Sequence, residues 1–282
     1  MSEIVPAGPA DEQGAAILLR STLDAGSIES LERAKRGRGR RLHARGSMGT
    51  RFCPDRAHRL PFRHERIEPM DFSPCATSAN VRIAARGDAE AMRAVYAPYV
   101  ETPVTFDTVA PSRAEFAARM ADAMVDYPCL VLEQDGRVVG FAYAHAQASR
   151  AAYRWNAELS VYLEQGATGG GRGRALYSAL LELLRAQGVK SAYGLVTVPN
   201  EASERLHAGC GFQRCWVQSH AGWKAGSWHD VTWYVKELAP FDDDPADPVP
   251  FSELARTRPD FVQQVLDEAN AALEANVPTD CA

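Results

Sequence analysis

Ala157-Glu158-Leu159-Ser160-Val161-Tyr162-Leu163, then a short connector, then Gly169-Gly170-Gly171-Arg172-Gly173-Arg174 form the stretch that decides the fold. The first part alternates and is rich in β-branched and aromatic residues, the pattern of a strand running into a loop. After the glycines, Leu176, Leu180, Leu183 and Leu184 recur at helical spacing, and Gly188 stands where a helix would end. Strand, glycine-rich loop and helix N-terminus together make an anion-binding arrangement. Unpaired backbone N–H groups and the positive end of the helix dipole face the ligand, and the missing side chains let phosphate oxygens approach closely.

Two common phosphate loops are excluded by the spacing. A Walker loop needs a Lys after its last glycine, and none follows here. The dinucleotide fingerprint Gly-x-Gly-x-x-Gly ends on Arg174 when counted from Gly169 and on Leu176 when counted from Gly171. The next strand candidate, 191–198, also carries no acidic residue to hold a ribose. A third use of the geometry is the Gly-x-Gly loop that holds the pyrophosphate of coenzyme A.

Several further motifs stand in register with this stretch. They are Tyr153-x-Trp155-x-x-Glu158-x-Ser160-Val161-Tyr162, Gly171-x-Gly173-x-x-Leu176-Tyr177, Pro199-Asn200, Leu206-His207-x-x-x-Gly211-Phe212 and Trp228-His229-Asp230-Val231. Together they resemble the GCN5-related N-acetyltransferase (GNAT) superfamily, and within it the phosphinothricin N-acetyltransferase-like family, over residues 80–238. The resemblance implies an acyl-CoA N-acyltransferase fold and acetyl-CoA as co-substrate, with no metal. It implies an acetyl transfer to the α-amine of a small amino acid or analogue, such as phosphinothricin, methionine sulfone or methionine sulfoximine.

The same resemblance assigns residues. Glu158 is the general base, a role that needs a carboxylate in a partly dry site so that its basicity rises. His207 is the acid that meets the departing thiolate, and Tyr177 is a further contributor. Val161, Tyr162 and Leu163 offer a strand edge to the peptide-like pantetheine arm. Gly169, Gly170, Gly171, Arg172, Gly173 and Arg174 receive the pyrophosphate. Asn200 contacts the coenzyme arm or caps the following helix. For the acceptor, Phe106 is an apolar wall, and Arg150 and Tyr153 hold the carboxylate, the ligand for which a bidentate Arg is suited. Trp228-His229-Asp230 either line this pocket or order the last hairpin. A homodimer is implied by relatives.

Composition is ordinary for a soluble globular protein and excludes other classes. The chain has 282 residues, 46% of them hydrophobic and 24% charged, with a net charge of −5. That balance gives no general affinity for nucleic acid or for an anionic membrane surface. Six cysteines, Cys53, Cys75, Cys129, Cys210, Cys215 and Cys281, include no Cys-x-x-Cys and no paired His spacing, so neither a zinc nor a disulfide framework is expected. No apolar run approaches membrane-spanning length and the N-terminus lacks a signal-peptide core, so a cytoplasmic location is expected.

Four segments are expected along the chain. Residues 1–79 form a basic extension, with a marginal helix at 15–35 and then Arg- and Pro-rich sequence that cannot bury much apolar surface; disorder is expected there. Twelve Lys and Arg fall between Arg33 and Arg66. Translation from Met48 or Met70, and a basic arm touching nucleic acid, are the alternatives for this part. Residues 80–238 form the catalytic domain, a central mixed sheet flanked by helices in the order β-α-α-β-β-β-α-β-α-β-β. Asp88 is the expected N-cap of its first helix, Ser112-Arg113-Ala114-Glu115 a capping box for its second, and Asp135-Gly136 a type I′ hairpin turn. Residues 239–251, rich in Pro and Asp, read as a linker. Residues 252–282 read as a helical tail interrupted by Pro259, packed on the domain or on a neighbour.

The sequence departs from the family in two places. Thr168 stands where Gln or Arg usually opens the pyrophosphate loop, after Gln165-Gly166-Ala167 in place of a basic run. His145-Ala146-Gln147-Ala148-Ser149 replaces a Gly-Pro-Trp-Lys-Ala segment beside the acceptor site, which removes a Lys and a Trp from the acceptor contacts. A non-catalytic coenzyme-binding module with a nucleic-acid or protein partner, and an enzyme acting on another amine or a protein N-terminus, are the competing readings.

Overall fold

The computed structural model describes residues 79–276. The expectations for the basic extension lie outside these residues. Seven strands form one sheet in the order β1-β2-β3-β4-β5-β7-β6: β1 (Ala79–Ile83), β2 (Cys129–Gln134), β3 (Arg137–Ala146), β4 (Asn156–Leu163), β5 (Ser191–Val198), β6 (Gln213–Lys224) and β7 (Ser227–Glu237). Six helices complete it: α1 (Ala89–Val100), α2 (Arg113–Asp126), α3 (Arg172–Gln187), α4 (Glu201–Gly209), α5 (Phe251–Thr257) and α6 (Pro259–Ala275).

Around β2 the sheet is covered on both faces, and the strand shows it. In β2, Leu130 and Leu132 pack with Leu176, Leu180, Leu183 and Leu184 of α3 and with Leu254 and Leu266 of the C-terminal helices. Their neighbours Cys129 and Val131 face the other way, against Met92 and Tyr96 of α1 and Phe116 and Met120 of α2. Burial on both faces is why β2 reads as a continuous apolar run and not as an alternation. The Cys129 thiol, inside this second layer, is pushed up to about 12 by burial.

Local signals hold where they depend on a few neighbouring residues. Ser112 Oγ accepts from Glu115 N at 3.3 Å while Glu115 Oε2 accepts from Ser112 N at 2.9 Å, so the capping box starts α2. Asp135 and Gly136 both adopt positive φ, as a type I′ turn requires. Asp88 stands at the N-cap position of α1 as expected, but its side chain does not cap the helix. It ends a short 3₁₀ turn, Arg86–Asp88. Its carboxylate is taken by Arg82 of β1 through two bonds of 2.7 and 2.9 Å, and it also accepts from Ala85 N. A bidentate charged pair outcompetes a single neutral N–H, and the Arg82 bond holds Asp88 below the usual carboxylate range.

The sequence after β7 is tied to the rest. Residues 239–250 form neither helix nor strand, yet Lys190 pairs with Asp242 at 2.5 Å and Arg154 with Asp247 at 2.7 Å. Trp155 Nε1 donates to Ala246 O, and Gln187 exchanges bonds with Val249. Pro259 does not break a helix. It opens α6 at the first helical turn, where its missing N–H costs nothing. Helix α6 also closes the sheet edge at β1. Asn270 Oδ1 accepts from Val81 N at 2.6 Å and Asn270 Nδ2 donates to Val81 O at 3.2 Å, so one side-chain amide stands in for a missing strand. Asn270→Ala leaves both groups of the buried Val81 without that partner. We expect a loss of about 1–3 kcal/mol in urea unfolding, the cost of orphaned buried backbone groups.

Candidate active site

One pair of strands opens the site. All neighbours in the sheet are antiparallel except β4 and β5, which run parallel and share three rungs: Asn156–Ser191, Ala157–Ala192 and Glu158–Tyr193. Past Glu158 the two diverge. β4 continues to Leu163 on β3 alone, and β5 continues to Val198 on β7 alone. The cleft between them is lined by Leu159 to Tyr162 of β4, Leu195 to Thr197 of β5, Val104, Tyr177, Asn200, Ser203 and His207.

Glu158 sits on the last shared rung, at the apex where the two strands part. Its register partner on β3 is His145, whose Nε2 lies 3.8 Å from Glu158 Oε1. Burial raises the Glu158 carboxyl above the usual range, and a charged His145 works against that shift. Strand alternation places Glu158 with Tyr162 toward the α1–α2 layer, while Leu159 and Val161 face α3.

His207 lies on the α3 side, nearly inaccessible at 3% exposure. Its Nδ1 is 2.8 Å from Ser203 O and its Nε2 3.2 Å from the Tyr177 hydroxyl. A carbonyl can only accept, so Nδ1 carries the proton and Nε2 is an acceptor. Burial lowers the imidazole pKa, with the Ser203 bond a smaller opposing influence, so the ring is neutral. It stacks on Tyr234 with centroids 5.0 Å apart. It also lies flat on β5 because residue 194 is Gly: a Cβ there would stand 2.1 Å from Nε2. The Tyr177 hydroxyl lies 3.3 Å from Leu159 O as well, and burial raises it well above its ordinary value, so it stays protonated.

The glycine loop leads from β4 into α3. Gly169, Gly170 and Gly171 have φ of 86°, 56° and 74°, three successive residues in left-handed backbone that side chains resist. Arg172 is the first residue of α3 and is half-buried, and Arg174 is exposed. Thr168 turns its hydroxyl back to Gln165 O at 3.0 Å, within a short 3₁₀ turn over Gln165–Ala167. Loop backbone and a helix N-terminus with two nearby arginines are the features that suit an anion.

The cleft therefore brings together Val161, Tyr162, Tyr177, Asn200 and His207, with Glu158 on the rung where the strands part. Asn200 also caps α4, its Oδ1 accepting from Ser203 N at 3.2 Å. Phe106 lies apart from the cleft lining; its ring covers Gly222 of β6, and Val104 from the same loop lines the cleft instead. Arg150 and Tyr153 belong to the turn between β3 and β4, which contains a 3₁₀ segment Ala151–Tyr153. His229 and Asp230 order the last hairpin: His229 Nε2 lies 3.0 Å from Lys224 O, and Asp230 Oδ1 accepts from His220 N at 2.8 Å. His145 is the site residue that the sequence did not single out. The register of β3 against β4, which sets it opposite Glu158, cannot be read from the sequence. Among the described residues no group of three His, Cys, Asp or Glu is arranged to hold a metal, and no helix is long and apolar enough to cross a membrane.

Residues 81–233 match the family model described as an acetyltransferase (GNAT) domain. A phosphinothricin N-acetyltransferase of Streptomyces viridochromogenes is 34% identical over 59% of this chain and 91% of its own length. An L-methionine sulfoximine/L-methionine sulfone acetyltransferase of Pseudomonas paraeruginosa is 33% identical over 58% of this chain and 96% of its own. Among solved structures, a GNAT superfamily phosphinothricin acetyltransferase from Sinorhizobium meliloti, in complex with AcCoA, aligns with a TM-score of 0.58 and 31% identity, over 61% of this chain and 95% of that one. The split sheet, the glycine loop and the residues that line the cleft all lie within the matched span, and the chain belongs to the GNAT family of N-acetyltransferases, alongside the phosphinothricin N-acetyltransferases.

Proposed function

We propose that the protein transfers the acetyl group of acetyl-CoA directly to the α-amine of a small amino acid or analogue, of the phosphinothricin or methionine-sulfoximine kind, with Glu158 as base. The observation that carries this reading is the position of Glu158, on the last rung before β4 and β5 part. Beyond that rung β4 has no strand partner on one side, and the amide-containing pantetheine arm is the kind of chain that pairs with such an edge. Its pyrophosphate fits the three left-handed glycines and the start of α3, with Arg172 and Arg174 adding charge. The arm then runs past Asn200 and Val161 toward Tyr177.

The chemistry follows from where the groups face. The ammonium of the acceptor gives one proton to Glu158, and the free amine attacks the thioester carbon. A C–N bond forms, the tetrahedral intermediate collapses and the C–S bond breaks to release a thiolate; Glu158, having passed its first proton to solvent, takes the second nitrogen proton as the amide forms, and the thiolate is protonated from solvent to the free thiol. We assign the sulfur's hydrogen bond to Tyr177 and not to His207. The neutral imidazole presents an acceptor to the cleft, whereas the Tyr177 hydroxyl has one proton and neutral acceptors in Leu159 O and His207 Nε2. A thiolate is charged, so it outcompetes both. His207 holds the Tyr177 ring and hydroxyl in place. The turn with Arg150 and Tyr153 is the counterpart for the acceptor carboxylate, the anion a guanidinium fork matches.

The test is thiol release from acetyl-CoA against L-amino acids, phosphinothricin, methionine sulfone, methionine sulfoximine and a peptide with a free N-terminus. Turnover with one or two of the amino-acid analogues is the expected result. Turnover with the peptide alone would replace the acceptor class, and coenzyme binding without thiol release from any acceptor would overturn the assignment.

A further inference from the structure

His145 stands across the sheet from the proposed base, on a segment that departs from the family's Gly-Pro-Trp-Lys-Ala pattern. We propose that His145 is the proton exit of this site: the proton that Glu158 takes from the acceptor ammonium passes to His145 Nε2 and leaves from there to solvent. The proposal rests on Glu158 acting as the base.

Three observations carry it. First, His145 and Glu158 are direct register partners, so two rigid strands hold the imidazole beside the carboxylate. Second, the tautomer is the receiving one. His145 Nδ1 lies 3.0 Å from Ala146 O, a group that only accepts, so in the neutral ring Nδ1 carries the hydrogen and the Nε2 lone pair faces Glu158 Oε1. The 3.8 Å separation is longer than a hydrogen bond and suits a small side-chain approach or one bridging water. Third, exposure rises outward along the path, from 22% for the Glu158 side chain to 38% for His145. A base at the end of a cleft filled by coenzyme and acceptor loses direct contact with bulk water, and its partner does not.

The protons balance. The acceptor ammonium loses one proton to the Glu158 carboxylate. The resulting carboxylic acid passes it to Nε2, giving an imidazolium that still donates from Nδ1 to Ala146 O. Water then takes the Nε2 proton, which restores the neutral imidazole and the carboxylate before the second amine proton must be removed. Imidazole is the side chain that ordinarily exchanges a proton near neutral pH. The other titratable groups around the pair do not compete. Tyr143 of β3, Tyr193 of β5 and Tyr177 of α3 are all raised by burial, and Arg119 of α2 is a guanidinium that keeps its proton.

The experiment compares His145→Ala, His145→Gln and Glu158→Gln in the full chain, using the best acceptor and acetyl-CoA, with and without added imidazole. His145→Ala is expected to lose roughly 100-fold in kcat, the low end for a positioned proton-transfer group, with the acceptor KM little changed. Imidazole in the buffer should restore much of that loss to His145→Ala and do nothing for the wild type. His145→Gln, which keeps a polar side chain but cannot carry the proton, should be as slow as His145→Ala. A kcat near wild type in His145→Gln, or a His145→Ala deficit that imidazole leaves untouched, overturns the exit role. Full activity in Glu158→Gln instead overturns the base assignment, and the exit with it.

Discussion

Glu158→Gln is expected to lower kcat/KM by roughly 10²- to 10⁴-fold, the range for removing a positioned general base, while coenzyme binding stays close to wild type. Gln keeps the size of the side chain and one acceptor oxygen, and removes its charge and its ability to accept a proton. The pH profile is the sharper readout. Below its pKa the Glu158 carboxyl is protonated and cannot take the ammonium proton, so kcat/KM should rise with pH through this ionisation. Because burial raises the group, the acid limb should lie above that of an exposed glutamate. A charged His145 partly offsets the burial, so losing His145 should move the limb further up. Measuring kcat/KM from pH 5 to 9 in both proteins checks the assignment. A wild-type limb that persists unchanged in Glu158→Gln would belong to another group, and the base would have to be sought elsewhere in the cleft.

The second large effect is expected from Tyr177→Phe, which removes one oxygen from a side chain that is otherwise fully buried. On the proposed mechanism this deletes the hydrogen bond to the departing sulfur. A loss of about 10²- to 10³-fold in kcat is expected, by comparison with the removal of one preorganised donor from a developing anion. The KM for acetyl-CoA should change little, because the bond is worth most when the sulfur is charged. The same change strips His207 Nε2 of its partner at 3.2 Å, so unfolding in urea should show a separate loss of about 1–3 kcal/mol. The two effects separate on measurement: stability is read without substrate, and kcat at a temperature where both proteins are fully folded. A Tyr177→Phe enzyme within twofold of wild-type kcat would leave the sulfur to water and reduce Tyr177 and His207 to core residues.

Most of the local framework was legible because its causes are local. The Ser112–Glu115 box, the Asp135-Gly136 turn, the apolar stripe of α3 and the loop of three glycines each depend on residues a few positions apart, and each is found where the spacing puts it. The candidate site residues were named for the same reason. Glu158, Gly171, Tyr177 and His207 belong to short motifs whose spacing is visible without knowing what they touch. Asp88 shows where local reasoning stopped. As a helix cap it was sound, but Arg82 from the neighbouring strand offered a stronger partner, and only the fold reveals which partner is near.

Tertiary structure decided everything that depends on register and on contacts between distant segments. Nothing in the sequence of β4 or β5 states that their pairing stops after three rungs, yet that divergence makes the cleft. Gly194 reads as an unremarked residue in a strand until His207 is seen to occupy the space its side chain would take. The Asp-rich stretch reads as a linker until Asp242 and Asp247 meet Lys190 and Arg154. His145 reads as a departure from a family pattern until the β3–β4 register sets it opposite Glu158. A strand's side chains alternate with a period of two, so a slip of one residue would turn His145 to the other face. The sequence by itself determined the elements, the anion loop and the chemical types at the site. The register of the paired strands determined which of those groups lie side by side.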